Sequence, residues 1–271
     1  MEEHRHLPDA NRVSVLIAAI LLAYALAQIV ETQRYELLFN VLGIEIPLPL
    51  NLTVAATLLA AGLTATGMDW LLRAHPHFAR ENTVQHWLLP TLTALVIGVP
   101  LYNLAYGPGW WLSFSLGGVI LLLVFLSEYI VLDPSDVRYP AASAGLIALS
   151  FALFLILVSA LSYAKTRLVL VALAVFLASA LVALRALHLR LAGRWELPWA
   201  AGIGLICVQI AAALHYWPLM PLQSGLALLA PLYALTGLAI NLGEEMSPRR
   251  AGIEAGIILF VFWGAALLMQ A

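Results

Sequence analysis

The sequence predicts an all-α fold, a polytopic transmembrane helical bundle with about nine membrane-spanning helices, and three observations predict it. Apolar runs of 18 or more residues recur along the whole chain, each long enough to cross roughly 30 Å of hydrocarbon at about 1.5 Å per helical residue. The composition is 63% hydrophobic and 10% charged, with a mean hydropathy of +0.94, whereas a soluble domain carries about 25% charged residues. The charges that remain gather at the ends of the apolar runs, where side chains can reach headgroups and water.

Taken in order, the spans run from Val13 to Val30, Leu50 to Leu72, Val84 to Tyr106, Trp110 to Leu132, Ala141 to Tyr163, Leu168 to Leu187, Pro198 to Trp217, Leu222 to Leu242 and Ala251 to Gln270. The connectors are short, as at Gly107 to Gly109, so consecutive spans are expected to be antiparallel neighbours in one integral membrane domain covering residues 1–271. The longest connector, Glu31 to Pro49, carries Glu31, Arg34, Glu36 and Glu45 among apolar residues, an amphipathic pattern suited to the membrane surface, and Ile46, Pro47, Leu48 and Pro49 stop any helix there. Ala25, Leu26 and Ala27 resemble a signal-peptidase site. The acidic Glu2, Glu3 and Asp9 and the length of the first apolar run argue against cleavage.

Orientation follows from the thirteen basic residues. Ten (Arg5, Arg12, Arg73, Arg80, Arg138, Arg185, Arg190, Arg194, Arg249 and Arg250) fall on the N-terminal side, against Arg34, Lys165 and Arg167 on the other. The positive-inside bias therefore predicts a cytoplasmic N-terminus and, with an odd number of spans, a C-terminus outside. Tyr102, Tyr106, Trp110, Trp111, Tyr216 and Trp217 gather at the expected outer interface. The preference for arginine over lysine suggests a prokaryotic plasma membrane. A net charge of −2 without basic clusters gives no reason to expect a nucleic-acid partner.

Ionisable residues inside spans are expensive, which makes them the candidate functional positions. Asp69, Glu128 and Glu254 each sit about 6 to 8 Å from the inner boundary by helical rise, and Arg185 reaches the same depth. Together they form a candidate polar pocket for a cation or proton, set against the plainer reading that each pairs locally or reaches the headgroups. Pro90 and Pro100 in the third span and Pro231 in the eighth are candidate kink positions, each freeing a backbone carbonyl one turn earlier. Gly252 and Gly256, with Ala251 and Ala255, make a small-residue stripe through which a partner helix could approach. Thr53, Thr57 and Thr64 form a hydroxyl stripe on the second span.

Enzymatic signatures are weak. Glu244, Glu245 and Arg249 spell the first motif of the intramembrane CAAX-protease-like family, but no histidine follows His215 and Pro248 is expected to hold the segment in a loop. His86 and His188 lie at span ends, His4, His6, His75 and His77 in the tail and a loop, and none has metal-ligand spacing. Cys207 is a lone cysteine within a span. No cofactor is expected, the bilayer is the expected environment, and the sequence argues against an enzyme. The reading is a small-solute or ion transporter-like bundle, with a non-catalytic scaffold or accessory subunit as the alternative. Weak self-similarity between spans one to four and six to nine also suggests an inverted repeat.

Overall fold

A computed structural model describes residues 8–29, 35–41, 44–50, 52–74, 84–191 and 193–269. Arg5, Arg34, Arg80, Glu31, the tail and loop histidines His4, His6, His75 and His77, and Gln270 lie outside the described residues. Nine α-helices run in chain order through them: α1 (Ala10–Ile29), α2 (Leu52–Leu72), α3 (Val84–Asn103), α4 (Pro108–Val131), α5 (Tyr139–Tyr163), α6 (Leu168–Arg190), α7 (Leu197–Leu214), α8 (Pro221–Gly243) and α9 (Pro248–Leu268). All but α3 are long and apolar enough to cross a membrane. In α3 the polar Gln85, His86, Thr91, Thr93 and Asn103 and two prolines dilute the apolar content.

Between α1 and α2 the structure has β1 (Tyr35–Val41) and β2 (Ile44–Leu50), paired antiparallel with Tyr35 opposite Leu50 and Val41 opposite Ile44. The expected surface segment is thus a hairpin. Pro47 and Pro49 stand two residues apart, so their missing donors fall on one edge of β2, and a two-stranded sheet leaves that edge unpaired. An open strand edge is not stable in hydrocarbon, which keeps a hairpin of this kind out of the bilayer core.

The chain divides into two units, Met1–Tyr139 and Pro140–Ala271. In the first, α1 packs on α2 and α4, α2 on α3, and α3 on α4, around a core that includes Ile20, Met68, Ile97 and Phe125. Lipid tails are as apolar as these side chains, so close van der Waals fit holds the helices together where a hydrophobic drive would not. Glycine permits the fit. A Cβ on Gly67 would collide with the Leu16 side chain, and one on Gly117 would come within 2.8 Å of Ile97. The threonine stripe bonds its own helix: Thr57 donates to the Thr53 carbonyl and Thr64 to the Ala60 carbonyl. Tyr24 of α1 reaches across to donate to the Ala94 carbonyl of α3.

In the second unit α8 is the central helix, touching α6, α7 and α9, while α6 also packs on α7. Close approach of α5 to α8 occurs at Gly225, where a Cβ would meet Ser159 Oγ and the Leu155 carbonyl. Further along, the Phe151 and Tyr233 rings meet edge to face at 5.0 Å. The consecutive packings α1–α2, α2–α3 and α3–α4 have counterparts in α6–α7, α7–α8 and α8–α9, while α1 packs on α4 in the first unit and α6 on α8 in the second. Helix α9 starts at Pro248, which corrects the expectation that this proline lies in a loop. Proline at a first helical position lacks only an N–H that would have no intrahelical partner anyway.

Candidate functional site

Among the described residues, the first unit buries an acid–base pair where α3 and α4 meet. His86 stands in the first turn of α3 and Glu128 in the last turn of α4, and the antiparallel packing of these two helices brings the residues together. The His86 Nδ1 lies 2.8 Å from Glu128 Oε2, with side-chain exposures of 4% and 0%. On the other side of the ring, Gln85 Nε2 lies 3.2 Å from His86 Nε2. Read as a hydrogen-bond chain, the Gln85 amide donates to Nε2 and Nδ1–H donates to the carboxylate, which assigns the neutral Nδ1–H tautomer. A proton taken up on Nε2 turns that nitrogen into a donor, so Gln85 must then present its carbonyl oxygen instead.

The neighbouring ends of α1 and α2 carry charge on the same unit. Arg73 Nε binds Asp69 Oδ2 at 2.7 Å, one turn along α2, with Arg73 largely exposed. The Arg12 guanidinium lies 5.0 Å from the Trp70 ring centroid, a cation–π distance. After α4 the connector is organised by two carboxylates. Ser135 donates its hydroxyl and its N–H to Asp133 Oδ1 at 2.6 and 2.9 Å, and Arg138 binds Asp136 through Nη2 at 2.7 Å. That hydrogen bond raises the Arg138 pKa above its usual value.

The expected carboxylates therefore have separate settings: Asp69 with Arg73 on its own helix, and Glu128 with His86 across a helix pair. In the second unit, Arg185 is buried on α6. Glu254 is exposed on α9 and accepts from Asn241 Nδ2 of α8 at 2.8 Å. Arg190 pairs with Glu244 at 3.1 Å. The His188 ring lies 4.8 Å from the Trp195 ring at a tilted angle. Among the described residues no group of three or more His, Cys, Asp or Glu is placed to hold a metal ion.

Helices α3 and α8 run through Pro90, Pro100 and Pro231. Proline at 231 leaves the Ala227 carbonyl without its helical donor, and Trp263 Nε1 of α9 donates to that oxygen at 3.0 Å. In the small-residue stripe of α9 Ala251 is buried, while the two glycines stand open: a Cβ on Gly252 or Gly256 would have no neighbour within 4 Å.

Sequence reasoning singled out Glu128 but missed His86 as its partner. A signal was present, because both residues lie 21 positions from Gly107, the turn between α3 and α4. Counting outward from a tight turn pairs residues across an antiparallel helical hairpin.

Eight long apolar helices and a buried ionisable pair define a multi-pass integral membrane helical bundle. The chain belongs to the DUF5656 family of proteins of unknown function, whose family model matches residues 32–269. No curated protein and no solved structure matches the chain.

Proposed function

We propose that this protein is a small-solute or ion transporter-like bundle in which His86 and Glu128 exchange a proton or bind a cation in its place. The observation that carries the reading is the burial of both partners at 2.8 Å. An ionisable pair inside a span is costly to build and is the usual mark of a proton or ion path. Histidine suits the task, since its unperturbed titration lies nearest neutral pH. Gln85 can accommodate Nε2 with or without the proton, as its amide presents either an acceptor or a donor to it. The excess of basic residues on one side supports a cytoplasmic N-terminus and an outward C-terminus in a prokaryotic plasma membrane.

Proteoliposomes containing the purified protein and a trapped pH-sensitive dye test the reading. With the membrane potential clamped and a pH step imposed, protons should cross faster than in protein-free vesicles, and Glu128→Gln should return the rate to background. An unchanged rate in Glu128→Gln, or a wild-type rate no higher than that of empty vesicles, refutes it.

One observation favours the scaffold reading instead. Helix α9 leaves Gly252 and Gly256 open and exposes Ile253, Ile257 and Phe260 beside them. Small residues flanked by large apolar ones suit a second membrane helix. Under that reading Gly252→Leu changes the mass of the assembly extracted in mild detergent, and under the transporter reading it does not.

A further inference from the structure

A cavity of about 210 Å³, open on one side to the surroundings, lies in the second unit where α5 and α7 end and α6 and α8 begin. Its polar lining is Ser162, Lys165, Thr166, His215 and Ser224, and its apolar lining includes Val158, Leu161, Leu214 and Leu228. No aspartate or glutamate lines it. Between Asp136 and Glu244 the only acidic residue is Glu196, which caps the opposite end of α7, about 27 Å away by helical rise.

Positive charge at this end of the unit is thus uncompensated. Lys165, the only lysine in the chain, and Arg167 both stand on the short α5–α6 connector. None of the five polar lining side chains has a hydrogen-bond or ion-pair partner among the described residues. Beside the lining, Gln223 is 1% exposed and its Nε2 has no hydrogen-bond partner. The positive dipole ends at the starts of α6 and α8 are offset by the negative ends of α5 and α7 on the same face, so the charge here is that of Lys165 and Arg167.

Lys165 is held at the cavity by the way α5 ends. Lys165 N–H donates to the Ser162 carbonyl at 3.2 Å and Thr166 N–H to the Leu161 carbonyl at 3.3 Å, the paired bonds of a Schellman cap. That cap places Lys165 at φ 48, the left-handed region where glycine is the usual residue. A lysine here carries backbone strain that a glycine would not.

We propose that this cavity binds an amphipathic anion, a carboxylate or phosphate headgroup with an apolar tail. The headgroup meets Lys165, His215 and the three hydroxyls, and the tail lies along Val158, Leu161, Leu214 and Leu228. Such a ligand satisfies both linings at once, which neither an inorganic anion nor a neutral hydrocarbon does. The site stands on its own geometry and does not depend on proton exchange at His86 and Glu128.

Calorimetric titration of the full chain, in neutral-detergent micelles, with decanoate tests it. Saturable one-to-one binding is expected, weakened about tenfold in Lys165→Gly by loss of a charged hydrogen bond and kept in Lys165→Arg. Since Lys165→Gly relieves the left-handed backbone, its unfolding midpoint should be no lower than wild type, which separates lost binding from lost folding. Inorganic phosphate should not displace decanoate. In phosphatidylcholine nanodiscs, displacement of decanoate on adding phosphatidylglycerol supports the site with a lipid headgroup as its occupant. Persistence of decanoate binding supports it with a free amphiphile. Absence of saturable decanoate binding, equal affinity in Lys165→Gly, or displacement by inorganic phosphate at equal concentration overturns the proposal.

Discussion

Removing either partner of the His86–Glu128 pair should destabilise the first unit, and a double-mutant cycle measures how much of the loss belongs to the pair. In Glu128→Leu, His86 keeps its burial and loses the Glu128 acceptor; in His86→Leu, a carboxyl group with 0% exposure loses the His86 donor. A hydrogen bond to a charged group contributes about 1.5 to 3 kcal/mol in a soluble protein. Inside a membrane the unfolded reference state also finds partners, so measured interhelical bonds average about 0.6 kcal/mol and reach about 1.7. Burial this complete, with a 2.8 Å separation, puts the expected coupling at the upper end, about 1 to 1.5 kcal/mol. Each single substitution should cost more than the coupling, since it also leaves a buried polar group with one hydrogen bond fewer, and the double substitution should cost less than the sum of the singles. Unfolding in mixed micelles of increasing sodium dodecyl sulfate fraction, followed by far-ultraviolet circular dichroism, gives the four free energies. Coupling below about 0.5 kcal/mol, the usual additivity error, would mean that the two side chains do not act as a unit.

Trp263→Phe should cost about 1 kcal/mol by leaving the Ala227 carbonyl without a donor. That cost should shrink in a Pro231→Ala background, where the backbone N–H at 231 returns, and equal cost in both backgrounds refutes the explanation. Gly225→Ala should destabilise by about 1 to 3 kcal/mol because its Cβ enters the Ser159 and Leu155 contact. Gly252→Ala should be neutral or stabilise by up to about 1 kcal/mol through helix propensity; the reverse order contradicts the packing described. For topology, Cys207 is replaced by alanine and a cysteine is placed at 138 or at 165. An impermeant maleimide should label position 165 in intact cells and position 138 only after permeabilisation, and the opposite pattern inverts the assigned orientation.

Local hydropathy determined much of this protein directly. The spans read from the sequence agree with the helices to within a few residues at most ends: α6 starts at Leu168 and α5 ends at Tyr163 in both. The reason is physical, because in lipid each helix must satisfy its own backbone before it meets a neighbour, so length and apolarity suffice to mark it. The hairpin at Tyr35–Leu50 was legible only in part. Ile44, Ile46, Leu48 and Leu50 alternate with period two, yet Pro47 and Pro49 read equally well as helix stops, and strand pairing is a relation between two segments.

Tertiary structure alone decided what the polar residues do. Asp69, Glu128 and Glu254 look alike in sequence, each an acid near a span end, but their partners are Arg73 on the same helix, His86 on an adjacent helix and Asn241 on α8. Which face of a helix an acid occupies follows from helical periodicity. What stands opposite that face follows from the crossing of another helix, and apolar spans of similar composition do not specify that crossing locally. For the same reason Trp263 answers the carbonyl that Pro231 frees, and Lys165 and His215 come to line one cavity, arrangements set by packing that no window of the sequence contains.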